Sequence, residues 1–232
     1  LIREVIQEVL GKLGGGSSQA PAAPSTPPVV ASSPSYAPPS CGVSSSSKGR
    51  HGVFETAAQA CEAAQQGFLQ LQKKGIEARR QVERIVKTMC EDRANEWGKI
   101  ELEESKIGRL DHKIGKLQII GLVPGVDWIR PDGRSGDHGI TLEEYTPFGV
   151  VGAITPSTHS IPTLAGNIVN IVAAGNAVVF NAHPAASRCA AMAVREFNKA
   201  IEHETGIENL VCIIEEPTLE SFKELCSHEA VR

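Results

Sequence analysis

The sequence predicts an α/β fold, an open and mostly parallel sheet with flanking helices, preceded by an amphipathic helix and a linker without regular structure. Three observations predict it. Residues 147–184, PFGVVGAITPSTHSIPTLAGNIVNIVAAGNAVVFNAHP, read as a strand, a helix and a second strand. The alternation then continues, giving the β-α-β-α-β-α order of a parallel sheet. Composition changes near residue 50, where a tract of Ser, Pro, Ala and Gly gives way to helical periodicity.

In chain order, residues 1–13 place Ile2, Val5, Ile6, Val9, Leu10 and Leu13 on one face, opposite Arg3, Glu4, Gln7, Glu8 and Lys12. This is an amphipathic helix of about three turns, marginal alone in water and in need of a partner surface. Gly14, Gly15 and Gly16 stop it, and residues 14–50 hold too few apolar side chains to offset the entropy of ordering. A flexible tether of roughly 30 residues suits a helix whose partner lies elsewhere better than one that docks on its own domain. From Val53 to Trp97 the pattern is helical, with Ala57, Ala60, Cys61, Ala64, Phe68 and Leu71 inward. A break at Gly75 follows, and then Ile76, Val82, Ile85, Val86 and Met89 turn inward. Residues 101–116 read as a further helix broken near Gly108, with Glu103 and Glu104 on a charged surface. Turns are expected at Pro124-Gly125 and Pro131-Asp132-Gly133, and a strand over 140–145.

The apolar run from Val150 to Thr155, closed by Pro156, suits a buried parallel strand. Pro162 fits the first turn of the next helix, whose Leu164, Ile168, Ile171 and Val172 recur at helical spacing before a cap at Gly175-Asn176. Ala177 to Phe180 is a second buried strand. The helix after Pro184 turns Ala185, Cys189, Met192, Ala193, Phe197 and Ile201 inward and ends at Gly206. A third strand spans Leu210 to Ile214, and Thr218 caps a last helix with Leu219, Phe222 and Leu225 on one face. Sheets of this kind bind ligands at the carboxyl ends of their strands. Residues 155–160 and 181–184 are therefore the candidate site.

A net charge of -4 gives no reason to expect nucleic acid as a partner. No apolar run approaches the roughly 18 residues of a membrane span, so no membrane partner is expected. The 6 cysteines, Cys41, Cys61, Cys90, Cys189, Cys212 and Cys226, show neither CxxC spacing nor a metal-ligand pattern. That usage fits reduced thiols and no metal site.

The run from PFGVVGAITP through AAGNAVVFNAHPAA resembles the coenzyme-binding segment of the aldehyde dehydrogenase superfamily. It looks most like the CoA-acylating aldehyde dehydrogenases of bacterial microcompartments, which oxidise propionaldehyde or acetaldehyde to the acyl-CoA. The resemblance implies a Rossmann-like domain that binds NAD without GxGxxG, CoA as co-substrate, and a homo-oligomer in the full-length enzyme. It also implies three parts: residues 1–13 as an encapsulation helix for a shell protein, 14–50 as linker, and 51–232 as the N-terminal half of the enzyme. The expected location is a microcompartment in the bacterial cytoplasm. Because the likeness covers only the first half of the family's length, this chain alone is expected to lack the nucleophilic cysteine and to be inactive. A sheet cut after its third strand is also expected to leave an apolar edge prone to aggregation.

By resemblance, Thr155, Pro156, Ser157 and Thr158 lie along the nicotinamide ribose, while Asn181, His183 and Pro184 border the adenosine. Asn181 stands where many relatives carry lysine and brings no charge, which favours NAD over NADP. His159 departs from the family, TPSTHS replacing the frequent TPSTNP. It is either an oxyanion or substrate contact or a helix-start residue bonded to nearby backbone. Two other functions stand beside the acylating one. One is a hydrolytic aldehyde dehydrogenase; the other is a non-catalytic adapter anchored to a shell.

Overall fold

The computed structural model describes residues 51–232 of the chain. The amphipathic face expected at Ile2, Val5, Ile6, Val9, Leu10 and Leu13, and the linker after it, lie outside the described residues. Among the described residues the main sheet has four parallel strands, β1 (Val53–Phe54), β4 (Val150–Thr155), β5 (Ala177–Ala182) and β6 (Val211–Ile214). Their spatial order is β1-β6-β5-β4. β5 lies between β4 and β6 and is buried along its whole length, as its unbroken apolar run requires.

Two strand expectations need correction. Val53 and Phe54 open the sheet instead of a helix, pairing with Ile213 and Ile214. β4 is a sheet edge, with Gly152 and Ile154 exposed and only Val150 and Thr155 buried. Its start is met by Val231, which bridges Val150 in parallel, and the Arg232 N–H donates to the Val150 carbonyl at 3.1 Å.

The helices are α1 (Ala57–Asp92), α2 (Ala94–Ser105), α3 (Leu110–Gln118), α4 (Ser160–Ala173), α5 (Ser187–Thr205) and α6 (Leu219–Ser227). α1 packs on α4, α5 and α6 and on strands β5 and β6. Gly75 interrupts α1 at φ 71°, ψ -160°, which turns Ile76 outward instead of inward. Ala185 and Leu219 are exposed as well. Ala185 lies in the short turn Pro184–Ala186 ahead of α5, and Leu219 is the first residue of α6. α2 is fixed to α5 by Trp97 and Phe197, both fully buried, whose rings meet edge to face at 5.2 Å.

α4 ends as its Gly-Asn pair predicts. Gly175 takes φ 87°, and the N–H groups of Gly175 and Asn176 return to the carbonyls of Val172 and Ile171. The Asn176 carboxamide oxygen then accepts the N–H of Phe148 at 2.6 Å and of Gly149 at 3.0 Å. One capping residue thus fixes where β4 begins.

Residues 132–143 form a separate exposed hairpin, β2 (Asp132–Gly136) with β3 (Gly139–Glu143), so the turn expected at Asp132-Gly133 is strand instead. Among the described residues no helix is long and apolar enough to cross a membrane.

Candidate functional site

The two loops chosen from the sequence leave the same end of adjacent parallel strands. Thr155 and Ala182 are register partners, and the His183 N–H donates to the Thr155 carbonyl at 3.0 Å. Thr155 is 1% exposed, with its hydroxyl 3.3 Å from that of Ser160, so its side chain ties the end of β4 to the start of α4. Pro156 and Ser157 are half-buried, and Thr158 is exposed.

His159 caps α4 with its carbonyl, which accepts the Thr163 N–H at 3.1 Å. It is a helix-start residue, as one reading held, but its ring bonds a side chain instead of backbone. Its Nδ1 lies 2.7 Å from the Thr158 hydroxyl. Burial first, then the charges of Lys116 and Lys113, hold the imidazole pKa below its usual 6.5, so the ring is neutral at pH 7. A neutral imidazole keeps one donor and one acceptor.

Across the loop, Asn181 is 7% exposed and its carboxamide oxygen accepts from the Ser221 hydroxyl at 2.8 Å. That hydroxyl also closes the capping box of α6, accepting the Thr218 N–H while Thr218 caps the Ser221 N–H. Among the described residues no acceptor takes the Asn181 amide protons. His183 and Pro184 are exposed, and the His183 Nδ1 accepts the Ala185 N–H at 3.1 Å.

Sequence reasoning missed what lies behind the first loop. Glu101 and Lys113 are 0% and 2% exposed and form an ion pair at 3.6 Å. The Lys113 ammonium also donates to the Thr158 carbonyl at 2.9 Å and to the Ser105 hydroxyl at 3.2 Å. Burial raises the Glu101 pKa against the opposing pull of Lys113 and of the Ile161 and Ser160 N–H groups. A signal was present: Trp97, Glu101 and Ser105 recur every four residues on one helix face, and Trp97 marks that face as inward. Glu104 was read as surface, yet its side chain is only 11% exposed. Its carboxylate accepts the N–H groups of Arg188 and Cys189, at 2.9 and 2.6 Å, at the start of α5.

Residues 46–232 match the sequence profile of the Aldehyde dehydrogenase family. The chain belongs to that family. An acetylating acetaldehyde dehydrogenase from Bilophila wadsworthia is 32% identical over 232 residues, which are 100% of this chain and 44% of that protein. Among solved aldehyde dehydrogenases, the propionaldehyde dehydrogenase from the fucose utilisation microcompartment of Clostridium phytofermentans is 37% identical. It has a TM-score of 0.75 over 78% of this chain and 42% of its own. The propionaldehyde dehydrogenase of Rhodopseudomonas palustris with bound propionyl-CoA is 36% identical, with a TM-score of 0.76 over 82% of this chain and 43% of its own. The chain therefore spans less than half the length of these relatives. Within this aldehyde dehydrogenase chain, Cys61, Cys90, Cys189 and Cys212 are buried and Cys226 is exposed on α6. Burial pushes the Cys61 and Cys90 thiols up to about 12 and raises those of Cys189 and Cys212 too.

Proposed function

We propose that the protein is a CoA-acylating aldehyde dehydrogenase that oxidises a short-chain aldehyde, propionaldehyde or acetaldehyde, with NAD inside a bacterial microcompartment. The observation that carries this reading is the joining of residues 155–160 to residues 181–184 at the carboxyl edge of the sheet, through the His183 N–H and the Thr155 carbonyl. The overall reaction is RCHO + CoA-SH + NAD⁺ → RCO-S-CoA + NADH + H⁺. Bound NAD supplies the hydride acceptor; the chain's residues bind and orient.

Thr155, Pro156, Ser157 and Thr158 border the nicotinamide ribose in this reading. Thr155 acts through its carbonyl and its bond to Ser160, since its side chain is buried. Asn181, His183 and Pro184 border the adenosine. The free amide protons of Asn181 suit a ribose hydroxyl, and its lack of charge favours NAD over NADP. A neutral His159 donates a hydrogen bond to the aldehyde oxygen as negative charge develops there. The attacking thiolate is none of the four buried cysteines, because burial holds each one protonated.

The division into an encapsulation helix over 1–13, a linker over 14–50 and the enzyme from 51 belongs to the same proposal. So do a shell protein as partner and a homo-oligomeric enzyme. Its support is the similarity to the microcompartment and CoA-bound relatives. Product analysis tests the reaction. The intact protein is incubated with propionaldehyde, NAD and CoA, and the reading requires propionyl-CoA in equal amount to NADH. Propionate formed without CoA would favour the hydrolytic alternative, and no aldehyde-dependent NADH at all would favour the adapter.

A further inference from the structure

The loop over 155–160 is held at two carbonyls. The Thr155 carbonyl is held from β5 by the His183 N–H, and the Thr158 carbonyl is held from α3 by Lys113. Within residues 156–159 the other hydrogen bonds are local, His159 to Thr158 and Thr163 to His159. Lys113 thus supplies, among the described residues, the one hydrogen bond that reaches 156–159 from outside the β4, α4 and β5 unit.

We propose that Lys113, held by Glu101, is a positioning residue for this loop, its ammonium fixing the Thr158 carbonyl and so the Thr158–His159 pair in the shape that meets nucleotide and substrate. The inference rests on the reading of the loop as part of the dehydrogenase site. Two of the ammonium protons have acceptors, the Thr158 carbonyl and the Ser105 hydroxyl, while the Glu101 carboxylate stands 3.6 Å away as the counter-charge. Ser105 is itself oriented, its hydroxyl donating to the Glu101 carbonyl at 2.7 Å, which turns a lone pair to Lys113. Glu101 lies beside the first turn of α4, near the Ser160 and Ile161 N–H groups, while its two oxygens accept no full hydrogen bond.

This is an expensive way to fill a core. Desolvating two charges is costly, and an apolar pair of similar volume is often as stable or more so. What an apolar pair does not supply is a donor to the Thr158 carbonyl. A charge held this rigidly fixes a loop that has little else to fix it, which is the role of the shell of contacts behind a reacting group.

The test uses the intact protein with two variants. Lys113→Met leaves Glu101 buried without its partner and is the variant most prone to misfold. Glu101→Gln combined with Lys113→Met removes both charges together, and folding is checked by melting. In the double variant we expect a cooperative melt near that of the wild type. We also expect kcat/KM for aldehyde and NAD to fall by about 10- to 100-fold, the scale set by small misplacements of bound groups. Amide exchange at residues 157–160 should rise while exchange in β5 stays unchanged. Wild-type kcat/KM in the folded double variant, or unaltered loop exchange, overturns the proposal and leaves the pair a packing device. Should the wild type show no aldehyde-dependent NADH formation, the dehydrogenase reading fails, and loop exchange alone still decides whether Lys113 holds the loop.

Discussion

Alkylation of the cysteines gives the sharpest chemical prediction from the described residues. The nucleophile and metal ligand is the thiolate, so labelling follows the fraction ionised and the access to it. For Cys61 and Cys90, pushed from 9.0 up to about 12 mainly by burial, roughly one thiol in 10⁴ is ionised at pH 8. A thiol free in water, with a pKa of about 8.5, is about one quarter ionised there. The ratio is on the order of 10³ before access is counted. Cys189 is raised by burial and by Glu104 and Glu101, and Cys212 by burial and Cys61, so both are expected to label slowly as well. Cys226, exposed on α6, is expected to label first among the described cysteines. The assay is timed iodoacetamide labelling at pH 8, read by peptide mass mapping. Any of the four buried cysteines reacting as fast as Cys226, or protected selectively by aldehyde, would refute the reasoning. Stability gives a second reading of the same shifts. Unfolded thiols ionise above about 9 while the folded ones stay protonated, so their contribution is whole below 9.0 and is lost as pH rises toward 12.

Three further outcomes follow from the packing and charges. Phe180→Ala empties a fully buried position whose register partners are Ala153 and Ile213, and should cost about 3–5 kcal/mol by denaturant titration. Ser221→Ala removes an acceptor in the α6 capping box and the donor to Asn181. It should lower stability by about 1 kcal/mol and raise KM for NAD with little change in kcat. The His159 ring should titrate below 6.5 by NMR, and Lys116→Gln should move it upward. Because its folded pKa is depressed, its contribution to stability is present above 6.5 and is lost as pH falls through the lower folded value.

Legibility in the sequence followed the range of the interaction. β5 and β6 were readable because a buried parallel strand is a continuous apolar run, and α4 because its periodicity ends at a Gly-Asn pair able to form its cap. The edge position of β4 was not readable, since its apolar run looks the same whether one neighbour covers it or two. β1 escaped because two residues carry no period, and β2, DGRSG, because an exposed strand without apolar residues has no alternation to show. At the site, the two loops could be named from topology alone. The support behind them could not be named that way, because Glu101 and Lys113 lie on different helices and each reads singly as surface charge. Trp97, four residues before Glu101, was the local clue that the face turns inward.

Hydrogen exchange with and without NAD is the measurement that tests the central claim most directly. The account predicts that saturating NAD slows exchange in residues 155–160 and 181–184 together, because the two loops leave adjacent strand ends and are joined by the His183 N–H and the Thr155 carbonyl. Saturable NAD binding that leaves both stretches unchanged, or protects some other surface, would contradict it.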